Sequence, residues 1–178
     1  MFVVFDTQFV ALLLHPGARP PDDRSTGKSI DDAQARIEYL VESLEQQGAT
    51  VLIPTPALAE FLVLANQDGP AYLSELNTHA VFRIEPFDEL AAVESAAMEN
   101  AARARGDKKG GGSGYWQKVK IDRQVVAIAK TREASCIYSD DEDIIKLSTR
   151  EGISVIGVST LPAPPARDGE LPFNTPND

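Results

Sequence analysis

Four places along this 178-residue chain set a carboxylate among apolar neighbours. Asp6 follows the run Phe2-Val3-Val4-Phe5. Glu60 is the one charge in the segment from Ala57 to Leu64. Asp122 lies within a helical stripe that holds Val119, Val125 and Val126. Asp140 and Asp141 follow Cys136-Ile137-Tyr138-Ser139. A lone carboxylate is costly to bury unless it is paired, hydrogen-bonded or bound to metal. No arginine or lysine stands in the apolar stripes around Glu60 and Asp122, which points away from simple ion pairing. Carboxylates that converge raise one another's pKa, and a divalent cation reverses this. Ligation by oxygen alone suits Mg²⁺ or Mn²⁺. The two histidines, His15 and His79, lack zinc-site spacing. Each acid also has a structural alternative. Asp6 could cap a following helix, and Asp140 and Asp141 could serve a helix's first turn, with Ser139 as cap and Glu142 completing the box. Glu60 could bond a backbone amide, and Asp122 could reach toward an edge.

The elements that must position these acids alternate. Phe2–Phe5 is apolar without alternation, as in a strand buried on both faces at the middle of a parallel sheet. Further strands are predicted at Thr50–Ile53, Val81–Ile84, Ser135–Tyr138 and Ile153–Val158. Helices are predicted between them. One opens at Ser29, with Asp32 in a capping box, and stops at Gly48. Another starts at Thr55-Pro56, proline being tolerated in the first turn. Asn66–Pro70 reads as a turn, Ala71–Leu76 as a short helix, and Glu89–Arg105 and Tyr115–Arg132 as long ones. Gly17–Gly27 reads as a surface loop, and Lys108–Gly114, rich in glycine, as a mobile one. The pattern predicts an α/β fold with three α/β/α layers and a central, mostly parallel sheet of about five strands. The domain is expected over residues 1–161, with a proline-rich tail at 162–178. A carboxylate just past the carboxyl end of a central strand lies where such sheets place their sites.

Composition narrows the function. The 43% hydrophobic content supports a real core. No apolar run approaches the length of a membrane span, and no basic segment precedes an apolar one at the N-terminus, so neither an anchor nor a signal peptide is expected. One cysteine, Cys136, excludes an internal disulfide and fits the cytoplasm. A net charge of -10 argues against nonspecific coating of nucleic acid. The stretch from Arg103 to Arg123 is nevertheless locally basic, which is compatible with a polyanionic substrate at one site.

Taken in order, these residues resemble the PIN-domain ribonucleases, and within them the bacterial VapC-like group of toxin–antitoxin pairs. The resemblance runs from Met1 to about Leu161. It rests on Val4-Phe5-Asp6-Thr7, on Pro54–Glu60, on Asp122 with Val126-Ala127-Ile128-Ala129, and on Ile137-Tyr138-Ser139-Asp140-Asp141. Gln8 departs from the small polar residue usual in that place. The resemblance implies a metal-dependent endoribonuclease with Mg²⁺ or Mn²⁺ held by Asp6, Glu60, Asp122 and Asp141. Asp140 is a further ligand candidate, and Asp143 an alternative for the last position. Thr7 and Ser139 would support these acids or touch phosphate. Lys118, Lys120, Arg123 and the Lys108-Lys109 loop would contact the RNA backbone. Trp116 reads as a core anchor ahead of a base-stacking ring. The implied partners are RNA, an antitoxin protein and a second copy in a homodimer, with no membrane. Two other readings compete: a haloacid-dehalogenase-like phosphohydrolase, which wants an aspartate where Gln8 stands, and an inactive PIN-like module that binds RNA or protein.

Overall fold

The computed structural model describes residues 1–107 and 116–165. Lys108, Lys109, the rest of the glycine-rich loop and most of the proline-rich tail lie outside the described residues. Five parallel strands form one sheet: β1 Phe2–Phe5, β2 Thr50–Pro54, β3 Phe82–Glu85, β4 Cys136–Tyr138 and β5 Ser154–Ile156. Their order is β3-β2-β1-β4-β5, so the first strand is central, as its unbroken apolar run predicts. Val4 pairs with Leu52 on one side and Ile137 on the other.

Side-chain alternation then makes three layers. Val3, Phe5, Val51, Ile53, Cys136 and Tyr138 face one core. Helices α1 (Thr7–Leu14) and α2 (Ala33–Gln46) cover that face, with Phe61 of α3 (Thr55–Ala65) and Leu76 of α4 (Gly69–Thr78) completing it. Val4, Leu52 and Ile137 face the opposite core. There they meet Met98 of α5 (Glu89–Ala104), Val125, Val126 and Ala129 of α6 (Trp116–Thr131), and Ile144 of α7 (Glu142–Arg150). Successive strand residues point to opposite faces, so a strand buried on both must be apolar throughout. Sheet order reverses between β1 and β4, and the crevice beyond their carboxyl ends is the switch point where such folds place ligands.

Two local expectations change. The helix predicted from Ser29 begins instead at Ala33. Asp32 adopts a left-handed conformation (φ 57°) and makes no side-chain cap. The reason is the preceding segment, which folds back on itself. Ser29 bridges to Asp22, the Ile30 amide donates to the Pro21 carbonyl at 3.0 Å, and the Asp23 amide donates to Lys28 at 2.7 Å. Ser29 is therefore committed to a small hairpin. The turn at Asn66–Pro70 is a short 3₁₀ segment that runs directly into α4 at Gly69, with proline in its first turn. Among the described residues no helix is long and apolar enough to cross a membrane.

Candidate metal centre and cleft

Asp6 is built by the first strand and the first helix at once. It caps α1, accepting the Phe9 amide at 2.8 Å on one oxygen, while the Ser139 hydroxyl donates to the other. The cap and the site are thus the same carboxylate. Asp6 is 3% exposed, and burial pushes its pKa up to about 7, against the lowering effect of those two hydrogen bonds. Ser139, fully buried at the end of β4, also accepts the Asp141 amide at 3.0 Å. It ties the ends of the two central strands together.

Asp141 caps α7, accepting the amides of Asp143 at 2.7 Å and Ile144 at 3.3 Å. The helix cap is therefore Asp141 and not Ser139. Burial acts to raise the Asp141 pKa, but the Lys118 ammonium and those amides outweigh it and hold the carboxyl below its ordinary range. Asp122 projects from α6 and is 7% exposed. Burial pushes it up to about 6, with Lys118 opposing and Asp141 and Asp143 adding repulsion. One oxygen each of Asp122, Asp141 and Asp143 lies within 4.8 Å of the others.

Lys118, expected beside Asp122 as a contact for the RNA backbone, pairs with the acids instead, so the absence of a base from the apolar stripe does not leave Asp122 unpaired. One turn earlier on α6, its Nζ lies 3.2 Å from Asp122, 2.7 Å from Asp141 and 3.6 Å from Asp143. Burial alone would lower its pKa, yet the Asp141 and Asp122 carboxylates raise it above the usual lysine range. An ammonium thus sits where three carboxylate oxygens converge.

Glu60, half-buried on α3, accepts the Thr7 hydroxyl at 2.7 Å. Asp6, Glu60, Asp122, Asp141, Thr7 and Lys118 all line one cavity of about 700 Å³. Asp140 is directed elsewhere. Its carboxylate accepts the Val158 amide at 3.1 Å, and its backbone carbonyl accepts Arg24 at 2.8 Å. Burial raises its pKa, with that amide opposing. Arg123 is 1% exposed, packed over the Trp116 ring and 3.5 Å from Glu99. Its side chain belongs to the α5–α6 contact and not to the cleft. Lys120 is exposed and lies 5.6 Å from the Trp116 ring centre, so Trp116 braces cationic side chains of its own helix. His15 and Arg19, which sequence reasoning passed over, also line the cavity. Their signal was present for His15: it follows Gln8, Ala11 and Leu12 at helical spacing.

Solved structures share this architecture. VapBC2 from Rickettsia felis, bound to a DNA fragment from its promoter, aligns with a TM-score of 0.56 and 15% identity over 88% of this chain and 98% of that one. Mycobacterium tuberculosis VapC20, a sarcin–ricin loop cleaving toxin, aligns at 0.52 and 17% identity over 85% and 95%. VapBC-1 from nontypeable Haemophilus influenzae aligns at 0.56 and 11% identity over 89% and 99%. The fold is PIN-like, and VapC proteins are its structural neighbours. No protein-family model matches the chain, and no curated protein sequence does.

Proposed function

We propose that this protein is a metal-dependent endoribonuclease that hydrolyses RNA phosphodiester bonds. The observation that carries the reading is the gathering of Asp6, Glu60, Asp122 and Asp141 around one cavity at the switch point of a PIN-like sheet. These acids come from four separate segments. Convergence of four half-buried or buried carboxylates is costly without a counter-charge.

The donor set fits a hard divalent cation. It is all oxygen, and three of the oxygens already surround an ammonium. Asp122, Asp141 and Asp143 would hold the ion, with Asp6 and Glu60 completing the acidic wall; Asp140 is left to its backbone partners. When bound, Mg²⁺ or Mn²⁺ supplies charge stabilisation at the phosphate and a more acidic water. The chain's own groups do the rest. Ser139 and the Phe9 amide fix the Asp6 carboxylate in one orientation, so no reorganisation is needed when charge develops. Thr7 holds Glu60 in the same way. Lys118, released from the three carboxylates, has the reach and charge to meet a phosphate oxygen. Lys120 remains available to the RNA backbone, and so do Lys108 and Lys109 by sequence.

The structural neighbours extend the reading to biology. Several are VapBC complexes, and one is described as a loop-cleaving toxin. That supports a toxin with an antitoxin partner; action in the cytoplasm and assembly as a homodimer are part of the proposal and not of that support. The test is cleavage of single-stranded RNA with Mn²⁺ or Mg²⁺ and with EDTA. Metal-dependent cleavage by the wild type that disappears in Asp141→Asn is the expected result. A wild type that binds neither metal nor RNA would remove the reading.

A further inference from the structure

The small hairpin between α1 and α2 has its root in the core and a fixed tip. Pro21 and Ile30 are buried, and the Ile30 amide donates to the Pro21 carbonyl. At the tip the Asp23 carboxylate accepts the amides of Ser25 at 2.8 Å and Thr26 at 3.0 Å. Gly27 closes the turn at φ 67°, its amide donating to the Asp23 carbonyl. Arg24 stands inside that turn, exposed, and its guanidinium donates to the Asp140 carbonyl at 2.8 Å across 116 positions of sequence. The same peptide unit carries the Asp141 amide, which donates to Ser139 Oγ at 3.0 Å. The Ser139 hydroxyl in turn donates to Asp6. Three hydrogen bonds therefore run head to tail from an exposed cation to a buried carboxylate. The Asp140 carboxylate takes no part, being turned to the Val158 amide beside Gly157, where a Cβ would collide with it.

We propose that Arg24 is a positioning residue: from the hairpin it grips the Asp140–Asp141 peptide unit and, through Ser139, holds Asp141 and Asp6 in the arrangement that receives the cation. The inference rests on the metal-dependent reading of these acids and adds to it an element outside the sheet and its helices. Asp141 begins α7, and its amide is tied to Ser139, but a peptide held on its N–H alone can still tilt about that bond. A guanidinium on the carbonyl fixes the other side of the plane. All three bonds point the same way, so each polarises the next, and the positive end of the chain is Arg24 while the negative end is Asp6. Groups that hold metal ligands from behind typically change metal affinity or activity by about tenfold or more when removed. Arg24 belongs at the low end of that range, because solvent screens an exposed charge.

The test uses Arg24→Ala, Arg24→Lys and Lys28→Ala, all at exposed positions of the full-length protein. Three quantities are measured: amide hydrogen exchange by NMR without metal, Mn²⁺ affinity by calorimetry, and kcat and KM for RNA cleavage. In Arg24→Ala the Asp141 amide should exchange at least about tenfold faster, while the Ile30 amide keeps its protection because the hairpin stays folded. Mn²⁺ affinity and kcat should each fall by about tenfold, with KM changed by less than about twofold. Arg24→Lys should restore most of each loss, since an ammonium can donate to the same carbonyl. Lys28→Ala removes the same charge from the same hairpin and should change none of them. Unaltered Asp141 exchange in Arg24→Ala overturns the proposal. A raised KM with kcat and Mn²⁺ affinity intact overturns it too and makes Arg24 an RNA contact. Equal effects of Lys28→Ala, or loss of Ile30 protection, reduce Arg24 to general charge or to hairpin stability and overturn it as well. A wild type that cleaves no RNA loses the ribonuclease reading, while amide exchange and Mn²⁺ affinity still decide the role of Arg24.

Discussion

Replacing Lys118 by methionine should raise the affinity for Mn²⁺. The ammonium lies within 3.2 Å of two carboxylates and 3.6 Å of a third, the positions a divalent ion would use. A cation entering that site must first displace it. Two charge-assisted hydrogen bonds would each contribute substantially if buried, but the Lys118 side chain is 40% exposed and solvent screens it. A net cost of displacement of about 1–2 kcal/mol follows, which is a gain of roughly fivefold to thirtyfold in Mn²⁺ affinity for Lys118→Met. Methionine retains most of the apolar stem, so the packing on α6 is preserved. The measurement is isothermal titration calorimetry with Mn²⁺ at about pH 8, above the raised pKa values of Asp6 and Asp122, so that protons do not stand in for the lost ammonium. Cleavage should fall in the same variant if Lys118 moves to phosphate. An unchanged or weakened Mn²⁺ affinity would refute the displacement argument and place the cation elsewhere.

Asp6→Asn should lower turnover by about a hundredfold or more, as loss of a preorganised charge does, while thermal melting in EDTA rises because a buried, repelled carboxylate is gone. Mn²⁺ affinity of the wild type should weaken as pH falls through 7 and then 6, where Asp6 and Asp122 take up protons that compete with the cation; calorimetry across that range checks it. Because both folded pKa values lie above the unfolded ones, the metal-free protein binds more protons folded than unfolded between about pH 4 and 7. These two groups therefore make it more stable at pH 5 than at pH 8, and Asp6→Asn should flatten that trend in melting curves. Asp143→Asn should weaken Mn²⁺ binding, whereas Asp140→Asn should leave it unchanged, its carboxylate being turned to the Val158 amide; equal effects of the two on metal affinity would contradict the assignment.

Much of this was legible in the residues. The strands carry unbroken apolar runs because both faces of each central strand are covered, Val3 and Phe5 by one core and Val4 by the other. The acids were legible because each breaks such a run. Lys118 was legible as a candidate for the RNA backbone but its pairing with the acids was not, although it stands one helical turn before Asp122: a lysine before an aspartate usually marks a solvated helix face, and α7 docking beside α6 brings Asp141 and Asp143 to it. Arg123 misled for the converse reason. Its charge suggested the surface, but Glu99 and Trp116 let it be buried. The hairpin at Asp22–Ser29 has no apolar period, so nothing in the pattern competed with the helix start at Ser29. The distinction between Asp140 and Asp141 depends on which way successive residues leave β4, and that is fixed by pairing with β5.

The central position of β1 has a consequence for synthesis. Its two partners are β2 and β4, and Val4 meets Ile137 across most of the chain. Parallel neighbours so far apart in sequence cannot close until the later one has been made. Asp141 and Asp143, which supply two of the three clustered oxygens, follow later still. A chain emerging from the ribosome therefore carries Asp6 and Glu60 for most of its length without a site to place them in. The cleft forms only when nearly the whole domain is out, so a protein that cuts RNA would be translated in an inert form, close to the RNA that encodes it.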